Sequence, residues 1–146
     1  MGKHEDIYFV SAGLGWPRTD ELKEKYPDRY IQCEASEQTA LDIAVGMASE
    51  GKIPFVYTIT PFFYRGFETI RTYINRENLH VVLVGAGRND DYSKHDGYSH
   101  DACDVDEVLG TQRNIVCYYP LDVQEMKDIV SISIESSGPT FISLKR

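Results

Sequence analysis

Short strand-like runs alternate with helical segments along the whole chain, and no other feature limits the possible folds as strongly. The run His80–Val84 (HVVLV) is almost entirely apolar, as expected for a strand that is covered on both faces. Strands that are separated by helices predict βαβ units, and therefore a mainly parallel sheet with right-handed crossovers. We predict strands at Asp6–Ser11, Tyr30–Cys33, Pro54–Ile59, His80–Val84, Ile115–Tyr118 and Thr140–Leu144, and helices at Thr19–Tyr26, Ser36–Glu50, Phe62–Arg76, Val105–Leu109 and Val123–Glu135.

Length, composition and charge indicate a single globular domain. A chain of 146 residues, 42% of them hydrophobic, suits one core and does not suggest disorder. We therefore expect one domain over residues 1–146, an α/β fold with a doubly wound, mainly parallel sheet and helices on both faces. The net charge of −8 disfavours binding to nucleic acid or to a membrane surface. Three cysteines without paired spacing, and the lack of a secretory signal, predict reduced thiols in a cytoplasmic protein.

The acidic residue Glu37 stands at the start of the long apolar helix. In parallel sheets ligands bind outside the carboxyl ends of the strands, where this residue is predicted to lie. An acid in the first helical turn is also explained by the helix dipole alone, so position by itself leaves both interpretations open. The loops predicted at the same edge are Ala12–Pro17, Glu34–Glu37, Thr60–Tyr64 and Gly85–His100.

Three segments, in this order, resemble the pyrimidine-binding domain of transketolase and of deoxyxylulose-phosphate synthase. They are Tyr30–Gly51, with Glu37 before an apolar helix, Tyr57–Arg71 (YTITPFFYRGFETIR) and Asp96–Ala102 (DGYSHDA). The resemblance extends from Tyr8 to Arg146 and implies an enzyme that uses thiamine diphosphate. Such enzymes transfer a two-carbon ketol unit between sugars or sugar phosphates, as transferases of the transketolase type.

The resemblance also implies a cofactor pocket. Glu37 matches the glutamate that hydrogen-bonds N1′ of the pyrimidine and favours the imino tautomer, which makes the cofactor its own base. Burial favours the protonated form of a carboxyl, which suits this proton sharing. Phe62 matches the aromatic residue that stacks on the pyrimidine, and Ile59 and Leu14 match apolar walls. Arg65 either holds an edge of the ring or pairs with a nearby acid such as Glu68.

The same resemblance assigns substrate contacts to three residues. Asp96 and His100 match the pair that reads hydroxyl and carbonyl groups of the sugar donor, and a histidine can exchange protons with a substrate oxygen near neutral pH. Arg146 matches an arginine that binds the substrate phosphate, although it could also be a solubilising chain end. Two departures from the family pattern are Gly13 for Asp, directly before Leu14, and Tyr98 for Pro, between Asp96 and His100.

The segment His95–Cys103 contains histidine, aspartate and cysteine and could in principle hold a metal. Its spacing suits neither a zinc knuckle nor a helical histidine pair, so we predict no metal ligands in this chain. A polar surface loop without chemistry is the other interpretation.

The sequence has no GDG…N segment, which in transketolases binds the metal of the diphosphate. The glycines of Gly85–Gly87 follow the wrong strand for that role. The resemblance therefore implies the small subunit of a split enzyme, active only together with a diphosphate-binding subunit that holds Mg²⁺ or Ca²⁺, in an α2β2 heterotetramer. Two alternatives stay open: a two-subunit decarboxylase of 2-oxo acids, and a non-catalytic scaffold partner.

Overall fold

The computed structural model describes residues 1–14 and 19–146. The last residues of the predicted loop Ala12–Pro17 lie outside the described residues. The strands are β1 (Ile7–Ser11), β2 (Tyr30–Gln32), β3 (Ile53–Ile59), β4 (Val82–Ala86), β5 (Val116–Tyr118) and β6 (Thr140–Leu144). The helices are α1 (Asp20–Lys25), α2 (Glu37–Ser49), α3 (Phe67–Thr69), α4 (Ser93–Asp96), α5 (Val105–Gly110) and α6 (Val123–Glu135).

The six strands of the described residues form one parallel sheet in the order β2-β1-β3-β4-β6-β5. The chain starts at β1, moves outward to β2 and then returns to β3 on the other side of β1. The direction of the strand order therefore changes between β1 and β3. This arrangement confirms the predicted doubly wound α/β fold, and it places a crevice at the carboxyl ends of β1 and β3.

Helices cover both faces of the sheet, and each face has its own apolar cluster. On one face α2, the helical segment after β3, and α5 pack on residues that include Val10, Val56 and Phe141. On the other face α6 packs on Ile7, Phe55, Val82, Val84 and Ile142. Burial on both faces explains why the central strands read as nearly continuous apolar runs.

Two predicted segments differ from the structure in their type of secondary structure. The helix predicted at Phe62–Arg76 consists of a 3₁₀ segment at Thr60–Gly66, the short α3, and a π-helical segment at Ile70–Asn75. Pro61 lacks an amide hydrogen and lies at the start of the 3₁₀ segment, where none is needed. The loop predicted at Gly85–His100 contains α4 and a 3₁₀ turn at Tyr98–His100, and its first two residues belong to β4.

The strand predicted at His80–Val84 begins instead at Val82 and ends at Ala86. His80 lies outside the sheet, and its imidazole Nε2 lies 2.7 Å from the carbonyl oxygen of Ser133 in α6. The remaining predicted strands agree with the structure within one residue at each end. In the described parts of the chain, no helix has the length and apolar character needed to cross a membrane.

Candidate functional site

Glu37 is the first residue of α2, and its side chain is only 3% exposed. The helix is held on the sheet by the buried residues Ala40, Leu41 and Ala44. The carboxylate therefore has a fixed position just beyond the carboxyl end of β2. A buried carboxylate is stable only if it is paired or hydrogen-bonded.

Its partner is Arg65, 28 residues later in the 3₁₀ segment after β3. Nη1 of Arg65 donates to both carboxylate oxygens, at 2.9 Å from Oε1 and 2.8 Å from Oε2. Arg65 itself is 49% exposed, so the pair joins a buried acid to a base that reaches solvent. Glu68, which the sequence offered as a partner for Arg65, pairs instead with Arg71 at 3.0 Å.

Gly66 permits the close approach that this pair needs. A Cβ atom at this position would lie 2.4 Å from Cδ1 of Leu41, so a larger residue would require a shift of the Leu41 side chain or of the 3₁₀ segment. The contact between α2 and the 3₁₀ segment thus depends on the smallest side chain next to Arg65.

Two aromatic rings continue the cluster. Cζ of Arg65 lies 3.8 Å from the ring centroid of Phe62, within the range of a cation–π contact. The imidazole of His100 meets the same ring edge-on, at 5.0 Å between centroids and an interplanar angle of 63°. Glu37, Arg65, Phe62 and His100 therefore form one continuous group, which we call the acid–aromatic cluster. It joins the loops that follow β2, β3 and β4.

Leu14 and Ile59 lie at the ends of adjacent strands at this edge of the sheet. Ile59 is the last residue of β3, and Leu14 follows β1, where its carbonyl oxygen accepts from the hydroxyl of Ser11. Both side chains are half-buried. Their strands are neighbours in the sheet, since Ser11 of β1 pairs with Tyr57 of β3.

Asp96 and Arg146 lie outside the acid–aromatic cluster. Asp96 is exposed at the end of α4. The backbone N–H of Arg146 donates to Oδ2 of Asp91 at 2.9 Å, and its guanidinium lies 4.9 Å from the ring of Tyr92. Arg146 is thus tied to the start of the loop after β4, on the side of β6.

That loop is anchored by Arg88, to which the sequence analysis gave no role. Its guanidinium donates to the carbonyl oxygens of Ser143 and Pro120. Burial raises the pKa of the nearby Asp106 carboxyl, although a hydrogen bond with Ser143 and the charge of Arg88 oppose that effect. These contacts fix the base of the loop that carries His100.

The sequence analysis also missed Tyr64 and Asp104. Burial, followed by the charge and hydrogen bond of Asp104, raises the pKa of the Tyr64 hydroxyl. Tyr64 and Tyr98, which is 92% exposed, line a cavity of about 600 Å³ beside the cluster. Pro61 and Tyr64 line this cavity together, because residues three apart in a 3₁₀ segment lie on one side of it. Among the described residues, no three His, Cys, Asp or Glu side chains form a group that could hold a metal ion.

Comparison with known protein families identifies the family of this chain. The model of the transketolase pyrimidine-binding domain matches residues 5–146. The chain belongs to this family. The strand order described above is therefore that of a transketolase pyrimidine-binding domain.

Relatives of this transketolase domain include proteins of different length. A Methanocaldococcus jannaschii protein named as a transketolase C-terminal section is 27% identical over 146 residues, which are 99% of this chain and 46% of the relative. The 1-deoxy-D-xylulose-5-phosphate synthase of an Azoarcus species is 30% identical over 133 residues, which are 86% of this chain and 20% of the synthase.

A solved structure described as a split-gene transketolase, in an inactive β4 tetramer, matches with a TM-score of 0.85 and 26% identity. The match covers 99% of this chain and 47% of that one. The chain thus spans about half the length, or less, of the relatives it matches.

Proposed function

We propose that this domain supplies the aminopyrimidine half of a thiamine diphosphate site in a split, transketolase-like enzyme. The proposed reaction is the transfer of a two-carbon ketol unit between sugars or sugar phosphates. The observation that carries the proposal is a buried carboxylate, Glu37, linked through Arg65 to an aromatic ring, Phe62, at the carboxyl edge of a transketolase-type sheet.

The residues present fit the pyrimidine of this cofactor. The guanidinium of Arg65 already shows that a planar group with N–H donors can bond to Glu37 while it lies 3.8 Å from the Phe62 ring. An aminopyrimidine is also planar and has nitrogen atoms at its edge. The acceptor and the aromatic plane are therefore arranged for a ring of this kind.

In the proposed mechanism Glu37 holds a proton at N1′ of the pyrimidine. Its burial at the start of α2 keeps water away from this hydrogen bond, which strengthens it. Phe62 orients the plane of the ring, and stacking of this kind contributes roughly 0.5–1.5 kcal/mol beyond burial. Leu14 and Ile59 supply apolar walls from the adjacent strand ends. When bound, thiamine diphosphate supplies a nucleophilic carbon, C2 of its thiazolium ring.

His100 is proposed to exchange protons with a substrate oxygen. It is half-buried and lies against Phe62, the ring that is proposed to stack on the pyrimidine. Its imidazole would therefore lie close to the bound cofactor, where it could exchange a proton with the substrate. Asp96 is proposed to bind substrate hydroxyl groups, and Arg146 a substrate phosphate. The exposure of both side chains leaves them accessible to a substrate.

We further propose a diphosphate-binding subunit as the partner, in an α2β2 assembly that holds Mg²⁺ or Ca²⁺ with the diphosphate. The match to a split-gene transketolase supports a separate subunit. The family membership supports thiamine diphosphate as the cofactor.

The test is reconstitution of this chain with the diphosphate-binding subunit, followed by assays with ketose phosphates and with 2-oxo acids. We expect ketol transfer in the wild type and a loss of about 10²-fold or more in Glu37→Gln. Glu50→Gln, an exposed residue at the other end of α2, is the matched control and should keep full activity. Activity on 2-oxo acids alone, or full activity in Glu37→Gln, would contradict the proposal.

A further inference from the structure

We propose that Arg65 is a positioning residue that takes the place of the aminopyrimidine while the domain is free of cofactor. The cofactor would then have to displace the guanidinium in order to reach Glu37. This inference rests on the proposed function, because it concerns the same pocket.

The guanidinium makes at once the two contacts that are proposed for the pyrimidine. Nη1 bonds both oxygens of Glu37, and the carbon at the centre of the group lies 3.8 Å from the ring centroid of Phe62. A second planar group that bonds Glu37 and stacks on Phe62 needs the same space. Arg65 and the pyrimidine therefore compete for one carboxylate and one aromatic face.

Of the two partners in the ion pair, Arg65 is the one that can move. Glu37 is 3% exposed and belongs to a helix that is anchored by buried side chains, whereas Arg65 is 49% exposed on a long flexible side chain. A departing guanidinium regains water at once. A departing carboxylate would have to break the start of α2.

The exchange also explains why the pocket contains an arginine. A buried carboxylate that loses its charged partner is strongly destabilising. Arg65 satisfies Glu37 before the cofactor binds, and the nitrogen atoms of the pyrimidine take over that role afterwards. Glu37 is thereby held in one place, without water, throughout cofactor uptake.

A site that is closed by its own side chain binds with reduced apparent affinity, in proportion to the fraction of open molecules. Removal of the guanidinium should therefore tighten cofactor binding. If Arg65 held an edge of the pyrimidine, removal would weaken binding instead. If Arg65 were only structural, the dissociation constant would not change.

The experiment compares Arg65→Met, Arg65→Lys and Arg71→Met in the complex with the diphosphate-binding subunit. Arg71 is the matched control. It lies in the helical segment after β3, like Arg65, but its ion pair is with Glu68 and not with Glu37. Thiamine diphosphate with Mg²⁺ is titrated by calorimetry, and kcat is measured at saturating cofactor. Thermal unfolding of each variant is recorded without cofactor.

We expect the dissociation constant of Arg65→Met to fall about fivefold or more, with Arg65→Lys between it and wild type. Arg71→Met should bind like wild type. Without cofactor, Arg65→Met should unfold at a lower temperature, because Glu37 is left unpaired. Equal or weaker binding by Arg65→Met would overturn the inference.

A second measurement observes Arg65 directly. ¹⁵N NMR of the wild-type complex should show Arg65 guanidinium N–H signals that the ion pair protects from exchange with solvent. These signals should shift or disappear after cofactor is added. Unchanged signals in the loaded complex would also overturn the inference. If wild type and all variants take up no thiamine diphosphate, the proposed function itself fails, which is distinct from uptake without competition.

Discussion

The imidazole of His100 meets the ring of Phe62 edge-on, with 5.0 Å between centroids. This contact brings the loop after β4 against the 3₁₀ segment after β3. Through Phe62 and Arg65 it connects His100 to the buried Glu37, so a proposed substrate contact and a proposed cofactor contact share one aromatic ring.

Replacement of Phe62 should affect cofactor binding more than folding. Phe62→Leu keeps an apolar side chain but removes the stacking plane, so we expect cofactor affinity to fall by roughly 0.5–1.5 kcal/mol, about two- to tenfold. Phe67→Leu is the control, since Phe67 packs on Tyr64 at 6.4 Å on the same helical segment. Calorimetric titration of the reconstituted complex measures both, and equal losses in the two variants would argue against a stacking role.

His100→Asn should lower kcat with little change in cofactor affinity. The amide keeps a polar group near Phe62 but cannot exchange a proton near neutral pH, so a loss of about 10²-fold is expected. The limb of the pH–rate profile that depends on the imidazole should disappear as well. His95→Asn, an exposed histidine in the same loop, is the control. A pH profile that is identical in wild type and His100→Asn would exclude the proposed proton exchange.

Gly66→Ala should destabilise the fold and disturb the site. The new Cβ would lie 2.4 Å from Cδ1 of Leu41, and overpacking of this kind costs about 1–3 kcal/mol. Gly46→Ala in α2 meets no atom within 4 Å, so it should instead stabilise the domain by about 0.5–1 kcal/mol. Denaturant unfolding measures the difference between the two. Equal stability would show that α2 and the 3₁₀ segment pack less closely than described.

Asp106→Asn should stabilise the domain at neutral pH but not at acidic pH. Burial raises the pKa of Asp106, so the folded state favours the protonated carboxyl and stability falls as the pH rises through that raised pKa. An amide removes this loss, and its advantage should vanish below the ordinary pKa of an aspartate. Thermal unfolding as a function of pH tests this, with the exposed Asp28→Asn as control. A gain that does not change with pH would assign the effect to another cause.

The sheet could be predicted because each strand carries a local signal. The apolar runs that became β3 and β4 are covered on both faces, and their composition reports that burial directly. The segment from Thr60 to Asn75 was harder. Its apolar residues have the spacing of an α-helix. The backbone hydrogen bonds are nevertheless those of a 3₁₀ segment that begins near Pro61 and ends at Gly66, and of a π-helical segment after it, and the apolar spacing does not reveal this difference.

The candidate site divides in the same way. The position of Glu37 at the start of α2 follows from the order of strand, loop and helix, which is local information. The partner of Arg65 does not, because a glutamate three residues away and one 28 residues away are equally suitable by charge.

By itself, the sequence determined the parallel sheet, the buried helix and the edge at which the strands end. Hydrophobic periodicity carries all three, and each depends on residues that are near in the chain. Only the tertiary structure decided that Arg65 turns toward Glu37, that Phe62 lies between Arg65 and His100, and that Arg146 joins the loop of Asp91. Those contacts depend on how closely α2 approaches the segment after β3, and that distance is set by packing across the whole core.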